Sequence, residues 1–133
     1  MRRTHLIFGV LLFIVFAITG RYMRVDFPDK EIIPQELRLL MRSRHIYILF
    51  NALIHVALGI YLQMRPHRVI RVFQYAGSLT LAVSSGVLLW AFIAETYQYQ
   101  QFSELIRWGI YTSLAGVTLH LVSGLNPETP ASE

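Results

Sequence analysis

Five histidines and no cysteine set the range of chemistry open to this chain of 133 residues. Without thiols there is no disulfide, no thiolate metal site and no cysteine nucleophile. Imidazole remains for ligation or proton transfer. His55 lies near the middle of an uncharged apolar stretch, in a row with Asn51 and Gly59 at four-residue steps, so the three share one helix face. His120 stands in a similar row, Thr112, Gly116, His120, and His5 opens the first apolar stretch. A glycine four residues from each of His55 and His120 would let a porphyrin come close to the backbone, and paired imidazoles are axial ligands of b-type haem. The same spacing lets another helix come close, and a histidine inside a membrane bundle ordinarily hydrogen-bonds across helices. Packing and interhelical hydrogen bonding are the better-supported use.

Depth constrains which histidines can meet. His55 is about nine residues into its apolar stretch and His120 about twelve into its own, an offset of roughly 5 Å along parallel helices. His5 and His120 both lie toward one membrane face, so they are the alternative pair for one haem b. His45 lies near the opposite face with no histidine at its depth. Ser78, Ala82 and Gly86 recur at four-residue steps with Ser85 beside them, which reads as a small-residue packing face. Neither serine has a visible base or oxyanion donor, so a hydroxyl nucleophile is not indicated.

These residues must be positioned by what surrounds them, four uncharged and mostly apolar runs at 4–20, 46–64, 72–94 and 108–126. A crossing helix needs roughly 20 apolar residues. The chain is therefore expected to be all-α, an integral membrane four-helix bundle with spans at about 4–23, 45–64, 70–94 and 106–125. Hydrophobic residues make up 54% and charged residues only 15%, which excludes an ordinary soluble domain. Connections this short leave no room for a second domain, so residues 1–126 form one unit. The tail 127–133, with two prolines and two glutamates, is expected to be disordered.

Pro34 followed by Glu36 is a helix-start signal, and nothing in the pattern interrupts the second helix before Arg65-Pro66. Its first turns form an amphipathic interfacial lead-in. Arg38, Arg42 and His45 share one face there, suited to anionic lipid or an acidic partner, while Leu37, Leu40 and Met41 share another. Arg65, Pro66, His67 and Arg68 make a tight basic turn. The third connection carries Tyr97, Tyr99 and Phe102 as interfacial anchors.

The formal charge of +4 does not indicate nucleic acid, because the arginines cluster at span ends where lipid headgroups lie. Met1-Arg2-Arg3 before an apolar run resembles a secretory signal, but Ala17-Ile18-Thr19 is a poor cleavage site, so a retained first helix is expected. One side of the membrane would carry Arg2, Arg3, Arg65, Arg68 and Arg71. The other would carry Arg21, Arg24, Lys30, Arg38, Arg42, Arg44 and Arg107, much of it paired with acids. On balance the N- and C-termini are expected to be cytoplasmic, in a bacterial inner membrane.

Between their flanking charges the four runs contain no Asp, Glu, Lys or Arg. That weighs against a proton-coupled transporter. The expected role is a non-enzymatic accessory, assembly or lipid-interacting subunit, with membrane lipids, another membrane protein or a second copy as partner. A small b-type membrane cytochrome using His55 or His5 with His120 is the alternative. A small transporter is third, and would require Asn51, His55, Ser85 and Thr112 to converge on one cavity.

Overall fold

The computed structural model describes residues 1–26, 33–95 and 104–124. Among them the chain is all-helical, with four helices: α1 (Arg2–Asp26), α2 (Gln35–Tyr61), α3 (Arg68–Ala94) and α4 (Glu104–Gly124). Three of these, α1, α2 and α3, are long and apolar enough to cross a membrane. α4 has 21 residues, with Glu104 and Arg107 in the first turn and Thr, Ser, Gly and His along its length. The aromatic anchors at 97, 99 and 102 and the tail 127–133 lie outside the described residues.

Helix ends follow local chemistry. α1 runs on to Asp26, past the expected end near position 23. Pro34 precedes the first turn of α2, and Glu36 lies in that turn, where a carboxylate favours the helix dipole. At its other end α2 stops at Tyr61, with Leu62 extended at φ −62° and ψ 121°. This corrects the expectation of an uninterrupted helix up to Arg65. Proline disfavours helix in the residue before it. In addition, the buried Gln74 side chain clips the turn, donating to the Gln63 carbonyl at 2.8 Å and accepting from the Arg65 backbone N–H at 3.2 Å. Arg2 closes the same end, its guanidinium donating to the Ile60 carbonyl at 2.7 Å, one of the carbonyls left open in the last turn.

Successive helices run antiparallel, with α1 closely paired to α2 and α3 to α4, and the two pairs joined through α2 and α3. Glycines set the close approaches. A Cβ added at Gly59 would lie 2.7 Å from the Leu6 backbone nitrogen, and one at Gly9 would lie 2.8 Å from that of Val56. Between α3 and α4, Gly77 and Gly116 face each other in the same way. The outward faces are apolar, including Ile7, Leu11, Ile18, Leu53, Leu79, Val83, Trp90, Leu114 and Leu121, while the interior holds His5, Arg44, Asn51, His55, Gln74, Ser84, Ser85, Ser113 and His120.

Candidate functional site

The helix pairing brings His5 of α1, His55 of α2, Ser78 of α3 and His120 of α4 to one level. His5 Nδ1 lies 2.8 Å from His55 Nδ1, and His5 Nε2 lies 2.8 Å from Ser78 Oγ. Ser78 Oγ is also 3.2 Å from His120 Nε2. The His5 and His55 rings stack with centroids 5.0 Å apart, and His5 meets His120 edge-on at 5.9 Å. One serine and one histidine from the first helix thus link three imidazoles that come from three helices.

Counting protons shows how these groups are arranged. The Ser78 hydroxyl donates to the Gln74 carbonyl of its own helix at 2.8 Å. Its oxygen therefore accepts from His5 Nε2–H and His120 Nε2–H. With Nε2 protonated, neutral His5 presents a lone pair at Nδ1, and His55 Nδ1–H supplies the bridging proton. His55 Nε2 is then an acceptor, 3.3 Å from Ser85 Oγ. The Ser85 proton is contested among that nitrogen, the Leu81 carbonyl at 2.9 Å and Asn51 Oδ1 at 3.3 Å.

From Ser85 the chain continues to Asn51, whose Oδ1 is 3.3 Å from both Ser85 Oγ and Ser113 Oγ. Asn51, His55 and Ser85 are 0%, 1% and 3% exposed and meet in the interior, where Asn51 and Ser113 also line a groove of about 300 Å³. Ser113 supplies the α4 group. Thr112, singled out from the sequence, instead donates to the carbonyls of Trp108 and Gly109 on its own helix. The four-residue row Thr112, Gly116, His120 drifts around the helix by about 40° at each step, because four residues exceed one turn of 3.6. The buried series Gly109, Ser113, Gly116, His120, Ser123 advances by threes and fours.

The same drift separates Ser78, Ala82 and Gly86. Ser78 joins the histidines and Ala82 is half-buried, but Gly86 is exposed, and a Cβ added there would meet nothing within 4 Å. The buried face of α3 is Gln74, Gly77, Leu81, Ser84, Ser85, Leu88, Ala91 and Phe92. Ser84 donates to the Gly109 carbonyl at 2.7 Å, tying α3 to α4.

A second polar centre lies toward the other end of the bundle. Arg44, 1% exposed, donates to the backbone carbonyl of Glu95 and places Nη2 3.8 Å from the Glu95 carboxylate. Glu95 caps the C-terminus of α3, where the helix dipole also favours a cation. The sequence reading placed Arg44 among headgroup-facing charges. Its phase on α2, seven residues after Leu37 and seven before Asn51, was the available signal that it points inward.

Arg38, Arg42 and His45 do lie on one side of α2, and that side is turned toward α1. His45 is half-buried. Its ring stacks on Phe16 at 4.0 Å, and Nδ1 lies 3.0 Å from Thr19 Oγ1. Its lack of a histidine partner at that depth is thus made up by a threonine and a phenylalanine. Arg38 and Arg42 line a groove of about 410 Å³ with Arg24 of α1, over Gly20, Met23, Ile33 and Met41. The Nε of Arg38 is buried there without a hydrogen-bond partner.

For haem, the decisive observation is what occupies the space between the imidazoles. Ser78 Oγ sits between the Nε2 atoms of His5 and His120, and His55 covers the other nitrogen of His5. Gly59 and Gly116 are filled against the backbones of α1 and α3, so neither opens a slot for a porphyrin. Among the described residues no group of three or more His, Cys, Asp or Glu side chains is arranged to hold a metal ion. No protein-family model, curated protein or solved structure matches this chain.

Proposed function

We propose that this chain is a multi-pass protein of a bacterial inner membrane that acts as a non-enzymatic, lipid-interacting accessory subunit. The exposed faces are apolar and most of the polar side chains of the spans turn inward, a distribution suited to a hydrocarbon solvent. The observation that carries the lipid reading is the groove in which Arg24, Arg38 and Arg42 surround an apolar floor, with no acidic side chain among the described residues of its lining. Guanidinium groups bind phosphate through forked hydrogen bonds, and the methionines and isoleucine accept acyl chain beside it. Removing the paired Arg44 from the charge count narrows the basic excess on the groove side to six residues against five, so the charge count opposes cytoplasmic termini less than the raw sequence count does.

The test is lipid retention. Protein extracted in mild detergent is expected to carry phosphatidylglycerol in preference to phosphatidylethanolamine. Glutamine at positions 24, 38 and 42 together is expected to lower that affinity on the order of a hundredfold, at roughly 1 kcal/mol per arginine. Equal retention by the triple variant would end this reading.

A second reading rests on the hydrogen-bonded chain His120, Ser78, His5, His55, Ser85. Ionisable groups buried in a membrane span are candidate proton carriers. In this reading the chain passes protons through a filled interior. Proton flux into liposomes, abolished in His55→Leu, is its test.

A further inference from the structure

The bundle is built from two helical hairpins that differ from their common seam in how they are held. α1 is closely paired with α2 and α3 with α4, and the glycines that bring helices together act inside a hairpin, Gly9 and Gly59 in the first and Gly77, Gly109 and Gly116 in the second. α2 meets α3 less extensively. Polar side chains cross the seam, from His5 to Ser78, from Asn51 to Ser85 and Ser113, and from Arg44 to Glu95. On its α2–α4 side the seam is incompletely filled, leaving a groove of about 300 Å³ lined by Ile46, Phe50, Ile110 and Leu114 together with Asn51 and Ser113.

Only the segment 62–67 joins one hairpin to the other covalently. Its two ends are tied to different units. Arg2 of α1 donates to the Ile60 carbonyl, and the Leu62 backbone N–H donates to the Leu58 carbonyl, which keeps α2 with the first hairpin as far as Leu62. Gln74 of α3 holds Gln63 and Arg65 to the second hairpin. Bending between the units is thereby confined to the link from Leu62 to Gln63, and hinges of this kind are a few residues at the end of an element.

Arg44 lies on α2 roughly 27 Å from that link at 1.5 Å per residue. It donates to the Glu95 backbone carbonyl, with Nη2 3.8 Å from the carboxylate, and so closes the far end of the seam. The closure is imperfect. Arg44 is 1% exposed, yet its Nε and Nη2 are buried with no hydrogen-bond partner. Water reaching this end would satisfy both, which lowers the cost of opening.

We propose that the two hairpins move as rigid units about Leu62 and part at the Arg44–Glu95 end, and that the opened seam admits water as far as Asn51 and Ser113. The three histidines meet at the hinge end, where displacement is least. The motion stands whether or not the lipid reading or the proton reading does.

The experiment uses the full chain in lipid bilayers. It has no native cysteine, so each introduced thiol is unique. Ser113 and Ser84 are both buried, at 2% and 0% exposure, but Ser113 contacts Asn51 across the seam whereas Ser84 donates to the Gly109 carbonyl inside the second hairpin. Ser113→Cys is expected to react with a charged thiosulfonate from water at least about tenfold faster than Ser84→Cys. Adding Glu95→Gln, which weakens the closure, should speed the first about tenfold and leave the second unchanged. Spin labels at the exposed positions 18 and 93, one in each hairpin, should gain a longer distance in Glu95→Gln, while pairs inside a hairpin, 18 with 46 and 93 with 108, keep a single distance. Should Glu95→Gln fail to fold, the two thiol rates in the otherwise native chain still decide. Equal rates at the two serine positions, or a distance between 18 and 93 that Glu95→Gln leaves unchanged, would each overturn the proposal.

Discussion

The Nδ1 atoms of His5 and His55 lie 2.8 Å apart, so a single proton must sit between them. Two neutral imidazoles bring two ring protons. If Ser78 and Ser85 both donate to their own helix carbonyls, both Nε2 atoms must also be protonated, and the pair needs three. It must then either carry a positive charge or draw one serine hydroxyl off its carbonyl. Ser85 is the one placed to turn, because its contact with His55 at 3.3 Å is longer than that of Ser78 with His5 at 2.8 Å.

Removal of either histidine is expected to destabilise the bundle, and the two losses should not add. A double-mutant cycle of His5→Ala and His55→Ala, read from reversible unfolding in mixed micelles, should return a coupling of about 0.6–1.7 kcal/mol, the range of hydrogen bonds between membrane helices. Strict additivity would mean that the contact contributes nothing.

Ser78→Ala is expected to be the more damaging of two conservative serine changes. It strips acceptors from the donors of His5 and His120 at once, whereas Ser84→Ala removes one bond to the Gly109 carbonyl. The expected losses are about 2–4 kcal/mol and about 1 kcal/mol. The same unfolding assay compares them, and equal losses would contradict the bridging role.

Glu95→Ala leaves the Arg44 guanidinium buried without its carboxylate and should lower stability by about 3–5 kcal/mol. Arg44→Met combined with Glu95→Met should recover most of that loss, because an apolar pair avoids desolvating two charges. Thermal unfolding of the two variants in parallel is the check. A double variant no better than the single one would argue against the ion pair.

Two glycines on different faces give opposite expectations. Gly59→Ala pushes a methyl group into the Leu6 backbone and should lower stability by about 1–3 kcal/mol, while Gly86→Ala meets open space and should raise it by up to about 1 kcal/mol through helix propensity. Circular dichroism during heating distinguishes them.

Composition and patterning alone determined the helical class, the positions of the apolar segments and the absence of charge from their middles. These are local properties, because an apolar run of about twenty residues and a proline-flanked turn report their preference without knowledge of their neighbours. The exposed side of a helix was also legible wherever its pattern was strong. Which polar residues meet was decided by the tertiary structure alone. His5 and His55 are fifty positions apart, and their contact depends on the antiparallel register that Gly9 and Gly59 set between α1 and α2. Arg44 points inward because its helical phase coincides with the core face and because Glu95, fifty-one residues on, ends α3 beside it. Register and helix rotation are collective results of packing, and a one-dimensional pattern constrains each helix without relating it to the next.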